Sequence, residues 1–282
     1  MKEYCQVFEK SGIASIEDAM DAGCQDILAL LERKQELFLS KEQIFRSATY
    51  KWPRDPLHTW SRIWEYPYVF YHLKSWMTRV QSNESLHAID VGSGVSFFPF
   101  AVTDLNYRVT CTDIDPICAK DVPRAAQALK VPPGSVQCRL TDGKHLPFKD
   151  EEADVVYCIS VLEHVPDYEP LIHEMARVMK TGGLLILTID LDIRGDSEIG
   201  AVKYRDLLKK LHGRFSFLYP QATTHPASLL TSHSGPYALK GILRPRNIPF
   251  ILKSCATLNF KNILRNIKPP LLTVEGLTFM KN

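Results

Sequence analysis

From Leu86 onward the chain alternates between short apolar runs and longer segments in which apolar residues recur at helical spacing. Short apolar runs of this kind are typical of strands that are buried on both faces of a parallel sheet. Because runs and helical patterns alternate, we expect a parallel sheet with right-handed crossover connections. The predicted strands are Leu86–Val91, Arg108–Thr112, Val136–Leu140, Ala153–Ser160 and Leu184–Ile189.

Two further strands are predicted near the C-terminus, at Phe250–Phe260 and Leu271–Met280. The link at 261–270 is too short for a helical crossover of the usual length, so we expect these two strands to pair in antiparallel. The predicted fold is therefore α/β: a Rossmann-like, doubly wound sheet of seven strands that ends in an antiparallel hairpin.

The N-terminal part has another pattern. In residues 1 to about 48 apolar residues recur at helical spacing between charges, so we expect helices there. Residues 50–68 are rich in Trp and Tyr, and their three prolines exclude one continuous helix. This aromatic segment fits a lid over a ligand site and a docking surface for the N-terminal helices equally well. We therefore predict a helical and aromatic extension at 1–85 and an α/β domain at 86–282, with an insertion at about 191–245.

Composition narrows the classes of function. The 282 residues carry a formal net charge of +2 and are 45% hydrophobic, as in ordinary soluble proteins. There is no basic stripe and no recognisable nucleic-acid module, so we expect neither a nucleic-acid nor a membrane partner. Seven scattered cysteines suit a reducing compartment, and we expect neither a signal peptide nor a bilayer span. These features predict a soluble cytoplasmic protein, and we expect a monomer or a homodimer.

Candidate chemistry begins at the turn after the first predicted strand. Gly92 and Gly94 permit positive φ and let backbone N–H groups approach a ligand without an intervening Cβ. In doubly wound sheets, ligands bind beyond the carboxyl ends of the strands. Asp113, Asp142 and the segment 160–164 also follow predicted strands, so we expect them at the same edge. The polar, often anionic, end of a cofactor fits such a turn.

At these four places the sequence resembles the class I S-adenosylmethionine-dependent methyltransferases. The resemblance covers roughly residues 86–190 and, more loosely, the last two strands. The run Asp90-Val91-Gly92-Ser93-Gly94 is similar to the glycine-rich first motif of the family. Asp113 matches the acidic residue that hydrogen-bonds both ribose hydroxyls, and Ile114 matches the apolar residue beside the adenine. Asp142-Gly143 matches the motif whose Asp meets the adenine amino group.

The resemblance continues past the fourth strand. The segment 160–167 is similar to the one that borders the methyl-transfer site, and the segment 180–184 resembles the turn before the fifth strand. A carboxylate accepts two hydroxyl donors, so an Asp at the end of the second strand suits a ribose. The resemblance implies S-adenosyl-L-methionine as cofactor, held by Asp90, Gly92, Ser93, Gly94, Asp113, Ile114, Asp142, Gly143 and Ser160.

Two other functions stay open at this point. An NAD(P)-dependent Rossmann oxidoreductase would explain Gly92, Gly94 and the acidic Asp113 downstream. The third glycine of that fingerprint would fall at Phe97, however, and a bulky side chain opposes close helix–strand packing there. A non-catalytic, methyltransferase-like binding protein is the other alternative, although the intact motif residues give it no support.

The methyl acceptor is predicted by elimination to be a small-molecule metabolite or natural-product intermediate. Protein- and RNA-modifying branches of the family usually carry an Asn-Pro-Pro-Tyr-like tetrapeptide after the fourth strand, where this chain has Ser160-Val161-Leu162-Glu163. We place oxygen slightly ahead of nitrogen as the accepting atom, and carbon stays open. No metal cluster is evident from the sequence.

Four residues are candidates for the acceptor side of the site. His164 is the candidate general base, because an acceptor must lose a proton unless its pKa is already low; a packing role is the alternative. Arg62 and Tyr66 could close over the site, with Arg62 pairing a carboxylate of the cofactor or acceptor, or forming an ordinary surface salt bridge. Asp190, after the fifth strand, could touch the acceptor or cap the turn that follows.

Overall fold

The computed structural model describes residues 6–52, 54–195, 198–239 and 270–282. Its strands form one sheet, and its helices lie on both faces of that sheet. The strands are β1 (Ser11–Ile13), β2 (Leu86–Val91), β3 (Tyr107–Asp113), β4 (Val136–Leu140), β5 (Ala153–Ile159), β6 (Met179–Asp192), β7 (Phe215–Phe217), β8 (Gln221–Ala222) and β9 (Leu272–Lys281).

Eight α-helices are found in the same residues, with short 3-10 helices at Gln6–Phe8, Leu162–His164 and Pro226–Ser228. None of these helices is long and apolar enough to cross a membrane. The α-helices are α1 (Ile16–Met20), α2 (Ala22–Ser40), α3 (Glu42–Phe45), α4 (Arg62–Val80), α5 (Phe98–Thr103), α6 (Pro116–Ala128), α7 (Glu169–Val178) and α8 (Ala201–His212).

The centre of the sheet is parallel, in the order β4-β3-β2-β5-β6. From β2 the chain winds outward through β3 to β4, and then returns to β5 on the other side of β2. Every residue of β2 is buried, including His87 and Asp90, as expected of a strand that is covered on both faces. The α/β class and the central parallel sheet are confirmed. The reversal of strand order between β2 and β5 creates the crevice in which ligands of such sheets bind.

The sheet has nine strands among the described residues, rather than the predicted seven. Strand β9 runs antiparallel to β6, with Leu184 opposite Met280, so the terminal antiparallel strand is present. The predicted partner at 250–260 lies outside the described residues. The additional strands β1, β7 and β8 contain only two or three residues each. Runs this short carry no detectable alternation, and β1 lies in a region for which helices were predicted.

Helix α4 packs across β6 and β9 through an aromatic layer. The rings of Trp64 and Tyr68 are stacked with centroids 4.6 Å apart, and the hydroxyl groups of Tyr68 and Thr278 are 2.7 Å apart. These rings lie directly on Gly276 of β9, where an added Cβ would come within 2.6 Å of Tyr68 and 2.7 Å of Trp64. The N-terminal segment is therefore packed onto the same sheet as the rest of the chain.

The neighbouring residue of β9, Glu275, is a buried acid. Its Oε1 accepts a hydrogen bond of 2.7 Å from the Tyr204 hydroxyl of α8, and its Oε2 is buried without a partner among the described residues. Burial raises the pKa of Glu275 to about 7. The carboxyl is therefore protonated in the folded protein at a pH where it would be ionised in the unfolded chain.

We expect Gly276→Ala to lower the free energy of unfolding by about 1–3 kcal/mol, because the new methyl group overlaps two buried rings. Gly213→Ala is the matched control. Its added Cβ would meet nothing nearer than 3.6 Å, so its stability should stay within about 1 kcal/mol of the wild type. Urea denaturation measures both. Equal stability of the two variants would contradict the close packing of α4 on β9.

A second prediction concerns pH. The raised pKa of Glu275 means that its contribution to stability is complete below the unfolded value near 4.5 and is lost as the pH rises through about 7. Glu275→Gln cannot ionise. Relative to wild type, the variant should therefore gain up to about 3 kcal/mol in free energy of unfolding between pH 4.5 and pH 8. Denaturation at several pH values tests this, and a pH-independent difference would refute it.

Candidate functional site

The glycine turn after β2 lies at the switch point of the sheet. Gly92 and Gly94 have φ values of +74° and +56°, a region that residues with a Cβ rarely occupy. A Cβ on Gly92 would also come within 2.5 Å of Val161 Cγ2, and one on Gly94 within 2.8 Å of the Tyr50 hydroxyl. Both glycines are thus required twice over, by backbone conformation and by the close approach of two other segments.

The backbone amides of this turn have acceptors within the chain. The Gly94 amide donates to Asp113 Oδ2 at 2.8 Å, and the Val95 amide donates to the Tyr50 hydroxyl oxygen at 2.7 Å. The preceding amides of the turn donate to the carbonyl of Thr112. Because the turn is linked to Asp113, the two motif residues that were expected to share a cofactor are in direct contact.

Tyr50 is a residue of the site that sequence analysis missed. It belongs to the aromatic segment 50–68, and no local signal connects it with the glycine turn, which lies more than forty residues further along. Its ring also packs against the Arg46 guanidinium, 5.0 Å from the ring centroid. Burial raises the pKa of Tyr50 far above its usual value, so the phenol keeps its proton. While accepting from Val95, it can donate that proton to a ligand.

The end of β3 offers a carboxylate beside an exposed apolar surface. Asp113 Oδ1 accepts the Asp115 amide at 2.9 Å, which fixes the orientation of the carboxylate. Ile114 is 68% exposed, and its Cγ2 is 3.3 Å from the position of a Cβ on Gly143. An exposed isoleucine above a glycine with φ of +80° leaves room for a flat ring to lie against both.

The carboxylates of Asp142 and Asp90 have different surroundings. Asp142 is exposed, and its Oδ1 accepts the amides of Lys144 and His145 at 2.8 and 2.7 Å. Hydrogen bonds from His145 hold the pKa of Asp142 well below its usual value. Asp90 is buried within β2, opposite Tyr157 of β5, and burial raises its pKa to about 8. Asp90 therefore lies beneath the turn, whereas Asp142 organises a surface turn.

Four carboxylates, Glu65, Glu163, Asp190 and Glu198, lie near the point where the parallel pairing of β5 and β6 ends, and we call them the acidic cluster. Glu65, on α4, is fully buried and accepts three hydrogen bonds. Its Oε1 accepts the hydroxyls of Ser160 and Thr188, each at 2.5 Å. Its Oε2 pairs with the Arg62 guanidinium at 2.7 Å. Arg62, proposed to meet a ligand carboxylate, is thus committed to Glu65 in this structure.

Glu163 and Asp190 form the second half of the acidic cluster. The Asp190 amide donates to Glu163 Oε1 at 3.2 Å. The other oxygen of Glu163, Oε2, and the Oδ1 of Asp190 are both buried and have no hydrogen-bond partner among the described residues. Burial and the neighbouring carboxylates raise both pKa values, that of Asp190 to about 8. Both carboxyls are therefore more readily protonated than exposed ones.

The remaining predicted residues border the acidic cluster. His164 is 57% exposed, and its Nδ1 lies 3.4 Å from Glu198 Oε2. Tyr66 is buried, with its ring stacked on Phe98 at 4.8 Å and the Arg62 guanidinium 5.8 Å from its centroid. In the described part of the chain no set of three or more His, Cys, Asp or Glu side chains is arranged to hold a metal ion.

Comparison with known proteins agrees with this geometry. Residues 89–187 match a family model described as a methyltransferase domain. An uncharacterized methyltransferase of Mycobacterium leprae is 38% identical over 118 residues, which are 41% of this chain and 42% of that protein. The sterol 4-C-methyltransferase strm-1 of Caenorhabditis elegans is 26% identical over 111 residues, 39% of this chain and 32% of its own length. The chain thus matches less than half the length of these relatives.

Solved structures share the fold. A putative sarcosine dimethylglycine methyltransferase from Galdieria sulphuraria aligns with a TM-score of 0.51 and 17% identity, over 76% of this chain and 84% of that one. The cyclase SpnF aligns with a TM-score of 0.52 and 16% identity, over 96% of this chain and 99% of that one. At these identities the likeness concerns the fold alone. The chain therefore carries a segment, residues 89–187, that matches the methyltransferase-domain model, on a fold that these solved structures share.

Proposed function

We propose that the protein is an enzyme that transfers the methyl group of S-adenosyl-L-methionine to an oxygen or nitrogen atom of a small molecule. The observation that carries the proposal is the contact between the glycine turn and Asp113 at the switch point, where the Gly94 amide meets Asp113 Oδ2 at 2.8 Å. This contact brings a carboxylate suited to a ribose next to a turn suited to a polar cofactor end, within the segment that matches the family model.

The residues present fit this cofactor. Asp113 has lone pairs left for the ribose hydroxyls, and the surface formed by Ile114 and Gly143 suits the adenine ring. Gly92 and Gly94 keep the turn free of side chains, and the protonated Tyr50 hydroxyl can donate to the carboxylate of the methionine part. When bound, the cofactor supplies an electrophilic methyl group on a sulfonium. The chain supplies alignment, which is the main requirement of an in-line displacement.

On the acceptor side we propose His164, Arg62, Tyr66 and Asp190. His164 is exposed beside Glu198, where it can take a proton from an acceptor while the carboxylate stabilises the imidazolium. Tyr66 packs against the Arg62 guanidinium, and Arg62 positions Glu65. We also propose that residues 1–85 cap the site, since Tyr50 and Glu65 reach it from there. We keep the insertion at about 191–245 as a proposed part of the α/β domain, and we propose a cytoplasmic monomer or homodimer.

The first test concerns Asp113. Asp113→Ala removes the proposed ribose acceptor, so the affinity for S-adenosylhomocysteine should fall about tenfold to a hundredfold in calorimetric titration. Asp115→Ala is the matched control, because this Asp only caps α6 through the Ile117 amide. It should cost about 1 kcal/mol of stability and leave the affinity within about threefold. Binding of NADH without binding of S-adenosylhomocysteine would refute the proposal.

The second test uses two glycines with the same backbone conformation. Gly92 and Gly182 both have a φ of +74°, but an added Cβ would strike Val161 at 2.5 Å only at Gly92, whereas nothing lies within 4 Å at Gly182. Either alanine should cost about 1–2 kcal/mol in left-handed strain. Only Gly92→Ala should also abolish binding of S-adenosylhomocysteine. Equal affinities of the two folded variants would exclude the turn from the cofactor site.

A further inference from the structure

We propose that the methyl acceptor is an amine and that the acidic cluster receives its ammonium group, with the unpaired oxygens of Glu163 and Asp190 as the direct contacts. This inference rests on the proposed function and narrows it to nitrogen. It departs from the order of preference drawn from the sequence, in which oxygen came first. Three features of the acidic cluster favour nitrogen: its position, its unpaired hydrogen-bond acceptors and its charge.

The acidic cluster adjoins the proposed cofactor site through two contacts. The Ser160 hydroxyl donates to Glu65, and the neighbouring Val161 side chain lies against Gly92 of the glycine turn. The segment that follows is the 3-10 helix Leu162–His164, which carries Glu163. Asp190 follows the end of the parallel part of β6, which pairs with β5 as far as Thr188. The carboxylates therefore lie next to the turn, on the side away from Asp113 and Ile114.

Two oxygens of the acidic cluster lack donors. Glu163 Oε2 and Asp190 Oδ1 are buried and have no hydrogen-bond partner among the described residues, although buried polar atoms in folded proteins are almost always paired. Glu65, by contrast, is saturated by its three donors. A ligand that brings several N–H donors would satisfy both unpaired oxygens at once. An ether, a ketone or a carboxylate would bring none.

The charge of the acidic cluster also favours an ammonium group over a neutral or anionic acceptor. Arg62 is paired with Glu65, and His164 lies beside Glu198. Neither lies within ion-pair distance of Glu163 or Asp190. A cation placed there favours the ionised form of both groups and is then attracted by them in a poorly hydrated environment, whereas an anionic acceptor is not. An alcohol would gain hydrogen bonds but would not offset the carboxylate charge.

The same pair provides the proton balance. A bound ammonium must lose one proton to free its lone pair, and the Glu163–Asp190 pair, which a bound cation keeps ionised, accepts that proton and passes it to the exposed His164. The nitrogen lone pair then forms the new N–C bond, while the electrons of the broken S–C bond stay on sulfur. The product leaves as an N-methylated ammonium and S-adenosylhomocysteine. The proton returns to solvent from His164.

The test compares S-adenosylhomocysteine with sinefungin, whose primary ammonium stands where the transferred methyl group would be. In calorimetric titration the wild type should bind sinefungin about tenfold or more tighter than S-adenosylhomocysteine. Asp190→Asn and Glu163→Gln should each reduce this preference to about twofold or less. Asp26→Asn, which removes an exposed carboxylate on α2, should keep it in full.

Each of the other titration results contradicts either this inference alone or the proposed function as well. If Asp190→Asn weakens both ligands equally, the acidic cluster holds the α-ammonium that both share, and the acceptor assignment is wrong. If S-adenosylhomocysteine binds but the wild type shows no preference for sinefungin, the inference fails and the proposed function survives. If neither ligand binds the wild type, both the proposed function and the inference fail.

A second measurement addresses the acceptor itself. With S-adenosylhomocysteine bound, the protein is titrated with 2-phenylethylamine, 2-phenylethanol and 3-phenylpropionate, which share a ring and differ in charge. The amine should bind best, and Asp190→Asn should weaken it about tenfold. Equal or better binding of the alcohol or the carboxylate, or no binding of the amine, would contradict an amine acceptor.

Discussion

The buried carboxylate of Glu65 is the interaction on which the site depends. It accepts hydrogen bonds from Ser160, after β5, and from Thr188, within β6, and it forms an ion pair with Arg62 on its own helix. A buried charge is tolerated only when it is paired and hydrogen-bonded, and here both conditions are met. Because one side chain joins α4 to two strand ends, the wall of the site is part of the folded core.

The central sheet and the cofactor motifs were predictable because their signals are local. A strand buried on both faces is a continuous apolar run, and β2 to β6 all lie within a few residues of their predicted positions. The turn at Gly92 and Gly94 carries its own backbone requirement. The order in which Asp113, Asp142 and Ser160 follow their strands then places them at one edge, without knowledge of any long-range contact.

Other features were hidden because they depend on contacts between distant segments. Strands β1 and β8 hold three and two residues and exist only through pairing with each other and with β9. Helix α4 contains Pro67, and its pattern shows aromatic residues on nearly every face because most of it is buried. Tyr50 and Glu65 lie in this same region, and nothing in their neighbours indicates contact with Val95 or Ser160.

Within the acidic cluster, Glu65 has a different role from Glu163 and Asp190. Glu65 accepts three hydrogen bonds, one of them from the Arg62 guanidinium, so its charge is paired within the protein and its role is to position α4 against the two strands. Glu163 and Asp190 share only one backbone amide, and each retains a buried oxygen without a donor. A protein has no stability to gain from two such atoms side by side. A ligand that supplies the missing donors explains why these two oxygens are left unpaired. We therefore assign recognition of the acceptor to Glu163 and Asp190.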